Sequence, residues 1–170
     1  MDDNQQVMDR HQNKSLHLTV AAVVERNGRY LLVEELIRGT EVINQPAGHV
    51  EPGESLINAV MRETREETAW DFSPAAIVGI YLWAQPVSGE RFLRIVFTGS
   101  VSNHDARQPL DEGILRSLWL TREELMQREL QLRSPMVVRA IDDYLAGNRY
   151  PVSMFQQVDI DELTDKAQVI

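Results

Sequence analysis

Three glutamates in the middle of the sequence, Glu63, Glu66 and Glu67, have a spacing that suits a divalent cation. They stand at positions i, i+3 and i+4 of a segment without proline or glycine, so on a helix their carboxylates lie on one face. Neighbouring negative charges destabilise one another unless a cation lies among them, and oxygen ligands in this number suit Mg²⁺ or Mn²⁺. Arg62 precedes Glu66 by four residues and is predicted to position its carboxylate. Glu54 opens the segment, where a negative charge interacts well with the N-terminal helix dipole.

The positions around these glutamates match a known motif. The sequence GHVEPGESLINAVMRETREETAW, from Gly48 to Trp70, resembles the box of the Nudix hydrolase family, G-x5-E-x7-R-E-U-x-E-E-x-G-U, where U is a bulky apolar residue. Gly48 and Glu54 are structural positions of this box. A solvated helix face is the usual interpretation of a glutamate-rich helix, and the spacing decides against it here. Thr64 replaces an aliphatic residue and Ala69 replaces the glycine that normally ends the helix, which leaves the final turn without an easily left-handed residue.

The resemblance implies a fold, an activity and a cofactor. The fold is of the α+β class, an α/β/α sandwich with a mixed β-sheet between helices. The activity is cleavage of a phosphate anhydride with Mg²⁺, or with Mn²⁺ in its place. Segments outside the box, LTVAAVV, NQPAGH, FLRIVF, LRSP and RYP, resemble a bacterial phosphatase branch of the family. That narrower likeness implies release of phosphate from nucleoside di- and triphosphates and from the thiamin precursor hydroxymethylpyrimidine pyrophosphate.

The resemblance also implies roles for individual residues. The three glutamates are expected to hold Mg²⁺ together with the carbonyl of Ala47, and the bound metal would activate water and neutralise charge on the phosphates. Arg62 is expected to support them. Two general bases are open: Glu63, or Glu112 from a later loop that approaches from the side opposite the helix.

Four other residues are candidates for binding substrate. Arg94 interrupts an apolar strand and shares a face with Phe92. Arg94 is predicted to clamp a terminal phosphate, and Phe92 to stack on a pyrimidine ring. An edge-strand arginine that reaches solvent is the alternative for Arg94. Asn44 and Gln45, just before the box, are predicted to bind base edges, with capping of a loop as their alternative.

Turn and cap signals divide the chain into strands and helices. Asn27-Gly28 predicts a tight turn that joins residues 16–25 and 30–35 into a hairpin. Residues 44–48 are expected to be irregular, and residues 55–68 to form the first helix. Thr121 and Glu124 form a capping box, and Ser134-Pro135 is predicted to start a helix that ends at Gly147. Further strands are predicted at residues 41–43, 75–83, 91–101 and 115–120.

Composition limits the class of protein. The chain has 170 residues, 43% of them hydrophobic, which indicates one domain, over residues 16–155, between an N-terminal arm of residues 1–15 and a C-terminal tail of residues 156–170. The net charge of −9 disfavours nucleic acid and anionic membranes as partners, which leaves a small phosphate-anhydride substrate. The absence of cysteine excludes disulfides and thiolate sites. A cytoplasmic location is expected, since no apolar run could form a signal peptide or span a bilayer. The family resemblance implies a monomer, and the chain is long enough to bury its own core.

Two other functions stay open at this stage. An ADP-ribose or sugar-nucleotide pyrophosphatase would keep the metal helix and differ in the substrate pocket. A non-catalytic nucleotide-sensing domain belongs to a different class, and fold alone does not exclude it. The complete carboxylate set argues against a sensor. His17 and His49 are expected to be structural, because no second ligand lies at metal spacing.

Overall fold

A computed structural model describes residues 15–157, so the predicted N-terminal arm and C-terminal tail lie almost wholly outside the described residues. The strands are β1 (Leu16–Val23), β2 (Glu25–Arg26), β3 (Arg29–Ile37), β4 (Thr40–Asn44), β5 (Ala47–His49), β6 (Asp71–Ala84), β7 (Arg91–Ser102) and β8 (Ile114–Leu120). The helices are α1 (Leu56–Thr68), α2 (Arg122–Met126) and α3 (Met136–Leu145), with 3₁₀ turns at Glu129–Gln131 and Val152–Met154. None of the helices in this part of the chain is long and apolar enough to cross a membrane.

The strands form two four-stranded sheets. In the first sheet the order is β5-β1-β7-β6, with β1 and β7 parallel and the other pairs antiparallel. In the second sheet β3 pairs antiparallel with β2, β4 and β8.

Helices cover both faces of the first sheet. On β1, Val20 and Ala22 belong to the core cluster that contains the apolar face of α1, whereas Ala21 and Val23 belong to the cluster that contains α3. Burial on both faces explains why this strand is a continuous apolar run. A mixed sheet between helices confirms the predicted α+β sandwich.

The predicted hairpin forms only next to its turn. Asn27 and Gly28, with φ of 53° and 75°, join the two-residue β2 to the start of β3. The longer β1 does not pair with β3, so this part of the prediction was wrong. With both faces buried, β1 is a central strand that needs a neighbour on each edge, and β5 and β7 supply them. The segment expected to be irregular contributes β5.

The ends of the helices follow their sequence signals except at one cap. The Oγ of Ser55 accepts a hydrogen bond from the N–H of Asn58 at the start of α1. At its end Ala69 takes the left-handed conformation, with φ of 58°, although it is not glycine. The capping box of Thr121 is complete. The predicted cap at Ser134 is wrong: α3 starts without a side-chain cap, and the buried Ser134 Oγ has no partner within residues 15–157.

Candidate active site

Arg62 lies at the centre of the carboxylates on α1. Its Nε and one terminal nitrogen donate to the two oxygens of Glu54, both at 2.9 Å. The other terminal nitrogen donates to Glu63 at 2.7 Å and to Glu66 at 3.0 Å. The carbonyl of His49 accepts a further bond from the terminal nitrogen that binds Glu54. The hydrogen bonds from Arg62 hold the pKa of Glu54 below its usual value. The structure therefore places the arginine of the motif as a fork that orients three of its glutamates.

The close approach of β5 to α1 depends on Gly48. A Cβ at this position would lie 2.1 Å from the carboxyl carbon of Glu63, a separation that no side chain can adopt. The missing side chain lets the Glu63 carboxylate lie directly against the strand. Glycine is therefore required here for space, and not for an unusual backbone angle.

Glu67 is the most deeply buried carboxylate of the set. The side chain accepts a hydrogen bond from the N–H of Ala47 at 2.8 Å, and only 7% of the residue is exposed. Burial raises the pKa of Glu67 to about 9, and the negative charges of Glu63, Glu35 and Asp111 act in the same direction. Burial also raises the pKa of Glu63. Without a cation the charged forms of both carboxyls are therefore disfavoured, and a bound cation would stabilise them.

The donor set fits a hard divalent cation. Carboxylate oxygens are the ligands that Mg²⁺ and Mn²⁺ prefer, and those of Glu63 and Glu67 meet at one end of β5. In the part of the chain that the structure describes, no three acidic or histidine side chains converge as a complete metal site. Arg62 instead binds two of the predicted ligands. Arg62 donates to one oxygen of Glu63 and one oxygen of Glu66, so the second oxygen of each carboxylate remains for a metal.

A cavity of about 420 Å³ lies beside β5. Ala47 and Gly48 line this cavity, and the same two residues contact Glu67 and Glu63. The strand thus contacts both the carboxylates and the cavity. A larger cavity of about 630 Å³ lies between β6 and α3, but no carboxylate of α1 lines it.

Three predicted substrate residues line the cavity next to β5: Asn44, Phe92 and Arg94. Arg94 is only 7% exposed, and one of its terminal nitrogens donates to the Oδ1 of Asn44 at 3.2 Å. Burial lowers the pKa of Arg94 to about 10. Because β7 lies between β1 and β6, the alternative of an edge-strand arginine that reaches solvent does not apply.

Aromatic rings lie beside these residues at the cavity. Phe92 stacks on His17, with ring centroids 4.9 Å apart, and lies 5.8 Å from the ring of Trp83. His17 in turn meets His49 edge to face at 5.3 Å. Two histidines in ring contacts agree with the structural role expected for them.

Two predicted residues lie elsewhere. Gln45 is a correction: its side chain is buried away from the cavity and donates to the carbonyl of Val137 at 2.7 Å, because the alternation along the chain turns it towards α3. Glu112 is exposed on its loop, and its backbone N–H donates to the carboxylate of Asp111. The charge of the neighbouring Asp111, in contrast, contributes to the raised pKa of both Glu63 and Glu67.

Sequence reasoning missed three residues of this region, namely Glu35, Trp83 and Asp111. Asp111 could have been found, since it adjoins Glu112, and its N–H donates to the carbonyl of Glu66 at 3.0 Å. Trp83 ends one predicted strand and Phe92 lies near the start of the next, and the two residues pair across β6 and β7. Glu35 ends an apolar strand and had no signal of its own.

Comparisons with known proteins agree over most of the chain. The NUDIX domain family model matches residues 15–140. Phosphatase NudJ of Escherichia coli strain K12 is 40% identical over 138 residues, which are 81% of this chain and 89% of NudJ. A NUDIX hydrolase from Nitrosomonas europaea has a TM-score of 0.83 and 45% identity, covering 86% of this chain and 99% of its own. A MutT NUDIX hydrolase from Burkholderia pseudomallei shares the fold, with a TM-score of 0.65 and 20% identity over 76% of this chain and 98% of its own.

Proposed function

The chain belongs to the NUDIX hydrolase family, and from this premise we propose that it is a Mg²⁺-dependent phosphatase that releases phosphate from small pyrophosphates. Family membership makes it a hydrolase of phosphate anhydrides, an activity that generally uses a divalent metal ion. The proposed substrates are nucleoside di- and triphosphates and hydroxymethylpyrimidine pyrophosphate. The relative named phosphatase NudJ supports cleavage of a terminal phosphate.

The observation that carries the proposal is that β5 contacts both the carboxylates and the cavity. Ala47 and Gly48 lie against Glu67 and Glu63 and also line the cavity that contains Arg94. A small substrate whose organic part occupies the cavity would therefore place its phosphates at β5, beside the carboxylates. Reacting groups held in this way gain rate from proximity alone.

Different side chains would bind the metal and position its ligands. Glu63, Glu66 and Glu67 would hold Mg²⁺, with the carbonyl of Ala47 as a further oxygen ligand. Bound Mg²⁺ would supply charge neutralisation on the phosphates and a more acidic water. Arg62 keeps the carboxylates of the set in place. Arg94, predicted to clamp a phosphate, lines the cavity and would contact the organic part of the substrate instead.

Glu63 is the general base that the geometry favours over Glu112. The carboxylate of Glu63 lies against Gly48, which lines the cavity. Glu112 is exposed on its loop and would need a loop movement to reach the same place.

Phosphate release tests the proposal. Wild-type protein with Mg²⁺ is expected to release phosphate directly from nucleoside di- and triphosphates and from hydroxymethylpyrimidine pyrophosphate. Glu67→Gln should lose this activity, while Glu51→Gln, a nearby exposed glutamate, should keep it. Phosphate that appears only after inorganic pyrophosphatase is added would mean release of pyrophosphate. AMP from ADP-ribose with no phosphate from the others would replace the proposal by a pyrophosphatase, and binding without turnover would indicate a sensor.

A further inference from the structure

Unpaired polar atoms are concentrated in the cavity beside β5. Within residues 15–157, five buried side-chain nitrogen or oxygen atoms have no hydrogen-bond partner, and four of them belong to residues that line this cavity. The four atoms are Thr19 Oγ1, Glu35 Oε1, Arg94 Nε and Ser134 Oγ. Buried polar groups in proteins are almost always paired, because an unpaired group costs about 1–3 kcal/mol. Their collection in one cavity points to a polar ligand that pairs with them.

Glu35 supplies an acceptor to this set. Its side chain is 13% exposed, and the nearest cation, the Nε of Arg133, lies 4.0 Å from Oε1, beyond hydrogen-bond distance. The preceding Glu34 behaves differently, since Arg116 donates to it at 2.7 Å. Alternation along β3 turns the two carboxylates to opposite faces. Asn44 interacts with the Glu35 carboxylate, but the Oε1 atom has no donor of its own, so Glu35 lines the cavity with one acceptor free.

Arg94 supplies a donor beside that acceptor. Arg94 and Glu35 line the same cavity and their charges attract one another beyond ion-pair distance, while Arg94 keeps its Nε free and donates from a terminal nitrogen to Asn44. An acceptor beside a donor complements an amino group beside an unprotonated ring nitrogen, which is the edge of cytosine and of other 4-aminopyrimidines. Uracil has a carbonyl oxygen in place of that amino group, and this oxygen would face the Glu35 carboxylate as a second acceptor.

Aromatic side chains lie in the neighbouring row of the same sheet face. Thr19 pairs with Arg94 across β1 and β7, and Phe92, two residues earlier on β7, pairs with Trp83 on β6. A period of two places Phe92 and Arg94 on one face. A flat ring could thus contact Phe92 and Trp83 while its edge points at the polar row.

We propose that Glu35 is a specificity-determining residue, whose carboxylate accepts a hydrogen bond from the exocyclic amino group of a 4-aminopyrimidine ring on the substrate. This inference rests on the proposed function, which supplies the pyrophosphate end of the substrate. The inference adds to that function the part of the substrate that is recognised, namely the amino-bearing edge of the ring. The amino group donates to Glu35, and Arg94 donates to the adjacent ring nitrogen.

Cytidine and uridine nucleotides provide the test, because they differ at this edge and carry the same phosphates. The value of kcat/KM should be about ten- to a hundredfold higher for CTP than for UTP, the factor expected for one hydrogen bond to a charged acceptor. Glu35→Gln should bring the ratio close to one, mainly by lowering the value for CTP. Glu34→Gln removes the same charge from the other face of β3 and should leave the ratio unchanged. Glu35→Asp, which keeps the acceptor, should retain part of the preference.

Binding separates this inference from the proposed function. Calorimetric titration of CDP and UDP into metal-free protein should show tighter binding of CDP, and Glu35→Gln should remove the difference. If Glu35→Gln has a wild-type melting temperature and an unchanged CTP to UTP ratio, the inference is overturned while the phosphatase proposal stands. If no nucleotide is hydrolysed but CDP still binds more tightly in a Glu35-dependent way, the phosphatase proposal fails and the recognition by Glu35 holds.

Discussion

Gly48 is the residue at which the cavity wall and a carboxylate of α1 come closest. We expect Gly48→Ala to lower kcat/KM about a hundredfold or more, because the added methyl group must displace the Glu63 carboxylate and a shift of 1 Å costs about that much. Gly53→Ala is the matched control: no atom lies near its added Cβ, and its φ of +79° predicts a loss of about 1 kcal/mol in stability with activity kept. Full activity in Gly48→Ala would show that Glu63 works without lying against the strand.

Glu67 links metal binding to stability. Saturating Mg²⁺ or Mn²⁺ should raise the melting temperature of the wild type, since a ligand at about a hundred times its Kd adds about 2.7 kcal/mol to the free energy of unfolding. Glu67→Gln should be about as stable as the wild type without metal, because a carboxyl with a pKa of about 9 is uncharged at pH 7, as the amide is, and it should lose most of the metal response. Glu51→Gln should respond as the wild type does. An undiminished metal response in Glu67→Gln, measured by calorimetry, would contradict the assigned ligand.

At the scale of elements, one ion pair joins α2 and α3. Arg122 donates from Nε and from a terminal nitrogen to the two carboxylate oxygens of Asp142, at 2.5 Å and 3.2 Å. These bonds hold the pKa of Asp142 below its usual value. A carboxyl whose pKa is lower in the folded state stabilises the fold at pH values above its unfolded pKa, and this contribution is lost as the pH falls through the folded pKa.

Asp142→Asn should therefore destabilise the protein in a pH-dependent way. At pH 7 we expect a loss of about 0.5 kcal/mol in the free energy of unfolding, the size typical of a partly exposed pair. The difference between wild type and variant should shrink as the pH falls below about 4, where the unfolded carboxyl becomes protonated. Urea titrations at several pH values measure it, and a double-mutant cycle with Arg122→Gln isolates the pair. A loss of equal size at pH 3 and pH 7 would exclude the ion pair as its origin.

Local sequence signals predicted most of the helices and strands. The features that they did not predict depend on tertiary contacts. The caps at Ser55 and Thr121 are short-range hydrogen bonds that sequence spacing encodes, so α1 and α2 could be located in advance. The pairing of β1 with β7 joins segments more than 70 residues apart and has no local signal. The buried Ser134 carries a cap residue type but lies beside the cavity.

The same division holds for the candidate site. The carboxylates of α1 lie on one helix, so their spacing alone placed them together. The cavity draws Thr19, Glu35, Arg94 and Ser134 from four separate segments, and only Arg94 was identified in advance. Arg94 is a charged residue within an apolar strand, and the other three residues lack a sequence signal of this kind.

The whole molecule carries a net charge of −9 while its proposed substrates are anions. Long-range repulsion should slow their encounter at low salt, and screening should relieve it, since the Debye length falls from about 30 Å at 0.01 M to about 10 Å at 0.1 M salt. With Mg²⁺ held at saturation, we expect kcat/KM for a nucleoside triphosphate to stay level or to rise about twofold over this range. A steep fall would mean that a positive field around the cavity dominates the approach.

The three-residue strand β5 contacts both the carboxylates of α1 and the cavity that Glu35 and Arg94 line. We expect substitutions on β3 or β7 to change substrate selectivity without moving α1, because core contacts of its own hold α1 in position. We expect substitutions on α1 to change the turnover rate and to leave substrate selectivity unchanged. The protein is thus suited to redesign in separate steps, in which a library confined to the cavity strands explores new substrates on an unchanged hydrolytic machinery.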